Sequence, residues 1–173
     1  MDPDTGKTVW QSAKLGSGGA GGGVEWGSAT DGKILYAPLA DRPGPTGRPG
    51  IAALSVADGR TLWQMDAPKG QPCNVPSGRC APAYSAAATA IPGAVFTGAQ
   101  DGRLRAYAAD GRLLWDFDAT APRDTVNGVK AAPGGSLDMG GPVVAGGMMY
   151  VHSGYGGSAG ASNLLLAFSV DGK

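Results

Sequence analysis

Two cysteines separated by six residues are the first candidates for chemistry in this sequence. Cys73 and Cys80 close a short segment that carries both proline and glycine. Two cysteines in so small a loop predict a local disulfide, and with it an oxidising compartment. A zinc site is the weaker alternative, because zinc takes about four ligands and His152 is the only histidine. The sequence has no Cys-x-x-Cys-His motif, so no c-type haem is expected on this chain.

The composition favours many short strands and argues against several other classes of protein. Among 173 residues there are 31 glycines and 13 prolines, and only 16% of residues are charged. The glycines separate short apolar runs, which is typical of strands joined by turns. The formal net charge is zero and no lysine–arginine cluster occurs, so no nucleic-acid partner is expected. The longest uncharged apolar run is too short for a membrane span.

A repeat organises the chain. Asp4–Trp10, Ala57–Trp63 and Ala109–Trp115 all end in glycine, a basic residue, two further residues and tryptophan, and the tryptophans are 53 and 52 residues apart. A fourth copy begins at Asp171–Lys173. An Asp-Gly pair between apolar alternating runs predicts a hairpin, because glycine tolerates a positive φ.

Each period holds four predicted strands, which is the arrangement of a β-propeller blade. The predicted strands are Val24–Thr30, Ile34–Ala40, Ile51–Val56 and Thr61–Asp66; then Ser85–Ala90, Ala94–Gly98, Leu104–Ala108 and Leu113–Asp118; then Gly141–Ala145, Met148–Ser153 and Leu164–Val170. We therefore predict an all-β, partial β-propeller in a single domain over residues 1–173. Its blades span about 24–66, 85–118 and 141–170, and an isolated outer strand, Lys7–Gln11, precedes them. A β-sandwich is the alternative, but it would not explain the fixed period.

Loop lengths indicate which face of the propeller carries function. If the strands of a blade are named a to d from the axis outward, the a–b and c–d turns are tight. The long connections are d–a and, in two blades, b–c, and both kinds emerge on the same face of an up-and-down blade. Long loops on a rigid scaffold usually carry binding or catalysis. We expect the functional site on this long-loop face.

The repeated docking sequence resembles the tryptophan-docking motif of quinoprotein dehydrogenases, propellers that bind pyrroloquinoline quinone (PQQ) and oxidise alcohols in the periplasm. Non-enzymatic propellers that scaffold outer-membrane assembly share this motif. Three longer stretches, Gly22–Ala29, Trp115–Lys130 and Tyr150–Lys173, resemble the polyvinyl alcohol dehydrogenases of that family. The resemblance covers essentially the whole chain. It implies PQQ and calcium as cofactors, an alcohol or polymer substrate, a cytochrome c as electron acceptor and a periplasmic location.

Two site residues follow from the resemblance by position. Trp26 occupies the place of the family tryptophan whose indole stacks on the planar quinone, and a tryptophan packed between blades is the alternative. Asp41 falls where the family has an asparagine that ligates calcium. A carboxylate oxygen would also serve as a calcium ligand, although a solvated turn aspartate is the alternative.

The sequence departs from the family at the catalytic base. The loop that holds the family's aspartate is here Cys73–Tyr84, which contains no Asp or Glu. The position of the family's basic residue beside the quinone oxygens falls near Gln100, with Arg103 and Arg105 close by. Both departures weaken the implied mechanism, in which the quinone takes the hydride and calcium polarises it.

The long loop Thr120–Gly140 offers replacements for the missing groups. Asp124 and Asp138 are the candidate catalytic bases. Asn127 and Lys130 are candidate cofactor-binding residues, with Lys130 acting as a point charge for a cofactor carboxylate. Each charged group is alternatively a solvated loop residue.

Two functions and two kinds of partner follow from this sequence. The first function is PQQ-dependent alcohol oxidation; the rival is a non-catalytic propeller that presents its long-loop face to a protein or polymer. Because Met1 enters in the middle of a docking motif, we expect the missing blades to precede it, or a second chain to complete the ring.

Overall fold

A computed structural model describes residues 1–18, 21–42, 47–75, 80–154 and 162–171. Within these ranges the chain is all-β and contains no helix, so none is available to cross a membrane. The strands are β1 (Ala29–Thr30), β2 (Ile34–Leu39), β3 (Gly50–Ser55), β4 (Thr61–Asp66), β5 (Thr89–Ile91), β6 (Ala94–Gly98), β7 (Arg103–Ala108), β8 (Leu113–Asp118), β9 (Val143–Ala145), β10 (Met148–Ser153) and β11 (Leu164–Ser169).

The strands form three antiparallel sheets in chain order. The first sheet is β1–β4, the second is β5–β8, and the third is β9–β11. Each strand pairs with its neighbour in sequence, which is the up-and-down order of a propeller blade. The predicted fold class, an all-β partial propeller, is confirmed.

One cross-strand row recurs in the three sheets. An aromatic residue on the second strand faces an alanine on the third. In the first two sheets this alanine also faces the repeat tryptophan on the fourth strand. Such partners share one face of an antiparallel sheet. The row is Tyr36, Ala53 and Trp63 in the first sheet; Phe96, Ala106 and Trp115 in the second; and Tyr150 and Ala167 in the third.

The seams between the sheets form the hydrophobic core. Tyr36 and Ile51 of the first sheet pack with Val95 and Tyr107 of the second. The opposite face of the second sheet packs on the third through Leu104 and Met149, among others. Leu137, on the long loop before β9, is buried in this second seam. The row of each of the first two sheets is therefore covered by the sheet that follows it.

The repeat tryptophans hold consecutive units together. The Trp10 Nε1–H donates to the Val56 carbonyl at 2.8 Å, and the Trp63 Nε1–H donates to the Ala109 carbonyl at 2.8 Å. Each acceptor lies in the turn between the third and fourth strands of the next sheet. The indole thus ties the outer edge of one unit to a turn of the following unit.

The glycine of that turn has a second role besides its backbone conformation. Gly59 has a φ of 72°, and a Cβ placed on it would lie 2.3 Å from Cε3 of Trp10. Gly111 has a φ of 90°, and its Cβ would lie 3.0 Å from Cδ2 of Trp63. Glycine therefore gives the turn and leaves space for the docked indole. The corresponding Gly172 and Lys173 lie outside the described residues.

The third sheet has an uncovered apolar face. Tyr150 is 38% exposed and Leu165 is 72% exposed, whereas Tyr36, the counterpart of Tyr150 in the first sheet, is fully buried. Val143, the cross-strand partner of Tyr150 on β9, is exposed as well. The corresponding face of the first sheet is covered by the second sheet, and that of the second sheet by the third.

The structure bears on two predictions about strands. No strand is assigned to the predicted outer strand Lys7–Gln11, because the described residues supply no neighbouring strand to bond it. The Lys7 carbonyl accepts a hydrogen bond from the Asp2 N–H (2.8 Å), as the Arg60 carbonyl accepts one from the Ser55 N–H (2.9 Å) just before β4. The outer strand therefore stays a prediction. The innermost strands are shorter than predicted; β1, for example, is Ala29–Thr30 rather than Val24–Thr30.

Candidate functional site

The segments that lead into the innermost strands are bonded to one another across the sheets. The Ala88 N–H donates to the Gly27 carbonyl at 3.0 Å, and the Ala87 N–H donates to the Met139 carbonyl at 3.0 Å. These bonds use groups that a longer inner strand would have used, which explains why the strands are short. A Cβ on Gly141 would lie 2.3 Å from the Ala87 carbonyl oxygen, so the meeting point tolerates small residues alone.

This meeting point brings two of the predicted site residues to the same end of the inner strands. Trp26 directly precedes Gly27, and Asp138 directly precedes Met139. The inner strands begin on the long-loop face, where the sequence predicts the site. Trp26 is 52% exposed, so no described sheet of this chain covers its ring.

Asp138 is held by the turn between the second and third strands of the second sheet. Its Oδ2 accepts a hydrogen bond from Gln100 Nε2 at 3.2 Å, and its Oδ1 accepts from the Met139 N–H at 2.9 Å. Gln100 is buried, and its carbonyl accepts a hydrogen bond from the Ser136 hydroxyl at 2.6 Å. The Gln100 side chain therefore fixes the orientation of the Asp138 carboxylate.

Met139, next to Asp138, has a strained backbone. Its φ is 59°, in the left-handed region. For a residue with a side chain this conformation costs roughly 1–2 kcal/mol. Such strain persists where the surroundings hold it, and here the Met139 carbonyl is held by Ala87.

The other loop candidates meet at the exposed tip of the same loop, which is closed by a bridge between Arg123 and Ala132. Lys130 Nζ lies 2.7 Å from Asp124 Oδ2, and the two side chains are 79% and 60% exposed. The hydrogen bond from Lys130 lowers the pKa of Asp124. The Asn127 Oδ1 accepts a hydrogen bond from the Thr125 hydroxyl at 2.5 Å.

An exposed ion pair of this kind contributes little stability. A lowered pKa also makes Asp124 a weaker base than an ordinary aspartate. Of the two candidate bases, Asp138 is therefore the better placed. The roles of Asn127 and Lys130 stay predictions.

Asp41 lies inside the protein and is not a solvated turn residue. It is fully buried. Its carboxylate accepts hydrogen bonds from the Ser17 N–H (2.9 Å), the Gly23 N–H (2.6 Å) and the Arg48 N–H (3.2 Å). Burial alone would raise the pKa of Asp41, but these hydrogen bonds more than offset it and lower the pKa.

This environment does not fit a calcium ligand. The oxygens of Asp41 face N–H groups, whose positive ends would repel a cation and already occupy the lone pairs that a metal needs. Nor do the described residues contain any group of three or more His, Cys, Asp or Glu side chains arranged to hold a metal ion. The exposed ring of Trp26 does fit a planar cofactor such as PQQ.

A buried charge network in the second sheet was missed by sequence reasoning. Arg105 is fully buried, with Nη2 3.0 Å from Asp101 Oδ2 and Nε 3.3 Å from Asp116 Oδ2. Burial raises the pKa of Asp101. The sequence did carry a pattern for it, because Arg103 and Arg105 on β7 pair in register with Asp118 and Asp116 on β8.

A polar atom without a partner lies beside this network. Tyr84 and Tyr107 share a hydrogen bond of 2.5 Å between their hydroxyl oxygens, and the Arg105 guanidinium lies 5.3 Å from the centre of the Tyr84 ring. The neighbouring Ser85 Oγ is buried and, in the described part of the chain, has no hydrogen-bond partner. Ser85 lies two residues before Ala87, where the inner segments meet.

A cleft of about 570 Å³ lies at the opposite edge of the molecule, among the tight turns of the second and third sheets. It is almost entirely apolar and contains none of the candidate site residues. Its lining includes Ile91, Leu114, Trp115, Val144, Met148 and Val170.

The family of the chain is decided by a sequence comparison. The family PQQ_2, described as "Outer membrane protein assembly factor BamB", matches residues 1–133 and 47–173, and the two matches together cover the whole chain. The chain belongs to this family. The resemblance to the quinoprotein propellers is thereby confirmed.

Two curated relatives of this family member carry the name polyvinylalcohol dehydrogenase. The protein from Pseudomonas sp is 46% identical over 188 residues, and the protein from Sphingopyxis sp. (strain 113P3) is 40% identical over 190 residues. Both alignments cover 100% of this chain and 29% of the relative. The chain therefore spans less than a third of the length of these relatives.

A solved structure supports the fold assignment. A europium-containing methanol dehydrogenase matches with a TM-score of 0.57 and 18% sequence identity, over 86% of this chain and 31% of that chain. At this identity the likeness supports the fold and not the activity.

The predicted disulfide is present. Cys73 and Cys80 are bonded, with their Cα atoms 5.7 Å apart, and no free cysteine remains. The bridge closes a loop on the same face as Trp26, between β4 and β5.

Proposed function

We propose that this chain is part of a PQQ-dependent dehydrogenase that oxidises secondary alcohol groups, including those of a polymer. The two relatives named polyvinylalcohol dehydrogenase, which align with its full length, support the substrate class. The structural observation that carries the proposal is the half-exposed indole of Trp26 at the meeting point of the inner strands. A flat quinone needs such an aromatic surface to stack on.

Asp138 is the base of this proposed reaction. PQQ, when bound, supplies a hydride acceptor. The Asp138 carboxylate would take the proton of the alcohol hydroxyl while a hydride passes to the cofactor from the carbon that bears this hydroxyl, so that a ketone remains. Gln100 keeps the carboxylate in one orientation through the 3.2 Å hydrogen bond to Oδ2. A positioned base of this kind typically contributes 10²- to 10⁴-fold in rate.

No step is assigned to a metal in this chain. The surroundings of Asp41 argue against calcium there, and the described residues offer no acidic cluster as a substitute. A metal, if the whole enzyme uses one, would need ligands from parts of the protein other than Asp41.

The rival function is a non-catalytic propeller that presents its long-loop face to a protein or polymer. The description of the family as an assembly factor favours it. So does the absence of Asp and Glu from Cys73–Tyr84. Under this proposal Trp26 would be a contact residue for the partner, and Asp138 would have no chemical role.

Partners and location follow from the same proposal. The Cys73–Cys80 bridge supports an oxidising compartment, which for this family would be the periplasm. A cytochrome c would accept the electrons. The uncovered face of the third sheet, with Tyr150 and Leu165, supports packing against further blades or a second chain.

The decisive experiment is dye-linked oxidation of polyvinyl alcohol by the chain after loading with PQQ, comparing Asp138→Asn with Asp124→Asn. We expect Asp138→Asn to reduce the rate of dye reduction at least about a hundredfold. Asp124→Asn should keep the wild-type rate. A wild-type chain that neither binds PQQ nor reduces the dye, or equal rates in both variants, would favour the scaffold over the enzyme.

A further inference from the structure

The described parts of the glycine-rich segment before Trp26, residues 16–18 and 21–23, meet at one buried carboxylate, that of Asp41. The Asp41 Oδ1 accepts from the Ser17 N–H (2.9 Å), the Ser17 hydroxyl (3.0 Å) and the Gly23 N–H (2.6 Å). The Oδ2 accepts from the Ser17 N–H (2.9 Å) and the Arg48 N–H (3.2 Å). Both oxygens are therefore used, and donors from 17 and 23 reach the carboxylate from the two ends of the segment.

Backbone bonds on each side of Asp41 reinforce this arrangement. The Ala40 N–H donates to the Gly23 carbonyl at 2.9 Å, and the Arg42 N–H donates to the Gly21 carbonyl at 3.2 Å. A Cβ on Gly16, whose φ is 69°, would lie 2.6 Å from the Asp41 Oδ1. Position 16 therefore lies so close to the carboxylate that it has no room for a side chain.

Trp26 lies three residues after Gly23 and one residue before Gly27, whose carbonyl is bonded to Ala88. The indole is therefore placed between two fixed points, the Asp41 carboxylate on one side and the inner strand of the second sheet on the other. Without the hydrogen bonds to Asp41, the segment around the half-exposed Trp26 ring would be held only by the bond between Gly27 and Ala88.

We propose that Asp41 is a positioning residue, whose carboxylate fixes the glycine-rich segment and thereby the indole of Trp26 without any metal ion. The significance for cofactor binding rests on the proposed function of Trp26. The positioning itself rests on the hydrogen bonds of Asp41 alone.

Asp41→Asn tests this inference because the amide keeps the size of the side chain but turns one acceptor oxygen into a donor that faces N–H groups. Hydrogen exchange should show the Gly23 amide exchanging at least about tenfold faster, the loss expected for a hydrogen bond to a charged acceptor. Iodide should quench the Trp26 emission, isolated as the difference from Trp26→Phe, more strongly in the variant. Sheet amides in β6 and β7 should be unchanged.

Two further variants serve as a milder test and as a control. Ser17→Ala removes one donor hydroxyl and leaves the carboxylate in place, so it should change Gly23 exchange and Trp26 quenching in the same direction by a smaller factor, even if Asp41→Asn does not fold. Asp31→Asn is the matched control, since Asp31 also accepts N–H bonds from Lys33 (2.9 Å) and Ile34 (2.8 Å), but in a tight turn. It should alter neither measurement.

The outcomes separate the inference from the proposed function. Calcium that raises the melting temperature of the wild type and not of Asp41→Asn would show a metal ligand and overturn the inference. Unchanged Gly23 exchange and Trp26 quenching in both Asp41→Asn and Ser17→Ala would overturn it as well. If these measurements change as expected but PQQ does not bind the wild type, the positioning stands and the cofactor role of Trp26 fails.

Discussion

Substituting Gly59 by alanine tests the docking of Trp10 on the first sheet. The added methyl group would lie 2.3 Å from Cε3 of the indole, far inside contact distance, so the ring must move. Gly32 is the matched control in the same sheet. Its φ is 92°, against 72° for Gly59, and a Cβ there would meet nothing within 4 Å.

The expected difference in the free energy of unfolding follows from comparing the two variants. Both place a Cβ on a residue in the left-handed conformation, which costs roughly 1–2 kcal/mol. Gly59→Ala also loses the hydrogen bond from Trp10 Nε1 to the Val56 carbonyl, a net contribution of about 1 kcal/mol. Lost contact of the ring with the turn adds a similar amount, at about 25 cal/mol per Å² of apolar area. We expect Gly59→Ala to be about 2 kcal/mol less stable than Gly32→Ala.

Urea unfolding followed by circular dichroism measures both free energies of unfolding. A double-mutant cycle with Trp10→Ala isolates the contact. When the indole is absent, Gly59→Ala should be no more destabilising than Gly32→Ala. Equal losses for the two glycine variants in the presence of Trp10 would refute the steric account of the repeat.

Two further predictions concern pH and association. Burial, followed by the nearby Asp31 carboxylate, raises the pKa of Tyr36 to about 12, whereas an unfolded tyrosine has a pKa of about 10. Between pH 10 and pH 12 the unfolded state therefore releases the proton first, and the free energy of unfolding should fall as the pH rises. Urea titrations of Tyr36→Phe should show a shallower fall over this range, and an identical slope would contradict this account. Tyr150→Lys should reduce self-association measured by light scattering, because it places a charge on the uncovered face of the third sheet, whereas Leu62→Lys, at a residue with similar exposure (41%) on β4, should leave association unchanged.

Much of the fold could be predicted because the repeat encodes a contact. Each docking motif supplies the tryptophan and the turn glycine against which the preceding tryptophan packs, as Trp63 packs on Gly111. A period set by such a contact is visible in one sequence. The positions of β4 and β8 could be predicted from the alternating residues next to the motif.

Where the repeat does not encode a contact, the strand bounds could not be predicted from the sequence. The stretch Lys7–Gln11 has the composition of an outer strand, but composition does not show whether a neighbouring strand is present to bond it. The inner strands lose their first residues because Ala87 and Ala88 bond to other sheets, a long-range choice that local alternation does not encode.

The positions of two candidate site residues could be predicted from loop length. Trp26 and Asp138 lie at the same end of the inner strands, where the long loops enter the sheets. The burial of Asp41 could not be foreseen, since its donors are backbone N–H groups of Ser17, Gly23 and Arg48, and their direction depends on glycine conformations. The Gln100–Asp138 bond likewise joins two loops that are 38 residues apart in sequence.

The most direct test of the central claim is calorimetric titration of the chain with PQQ, in calcium and in EDTA, for the wild type, Trp26→Phe and Trp26→Ala. Leu114→Ala, in the apolar cleft on the opposite edge, controls for binding outside the inner strands. We predict that Phe retains binding and that Ala weakens it about tenfold, which corresponds to about 1.4 kcal/mol of lost stacking. Loss of binding in Leu114→Ala, with Trp26→Ala unaffected, would contradict the account.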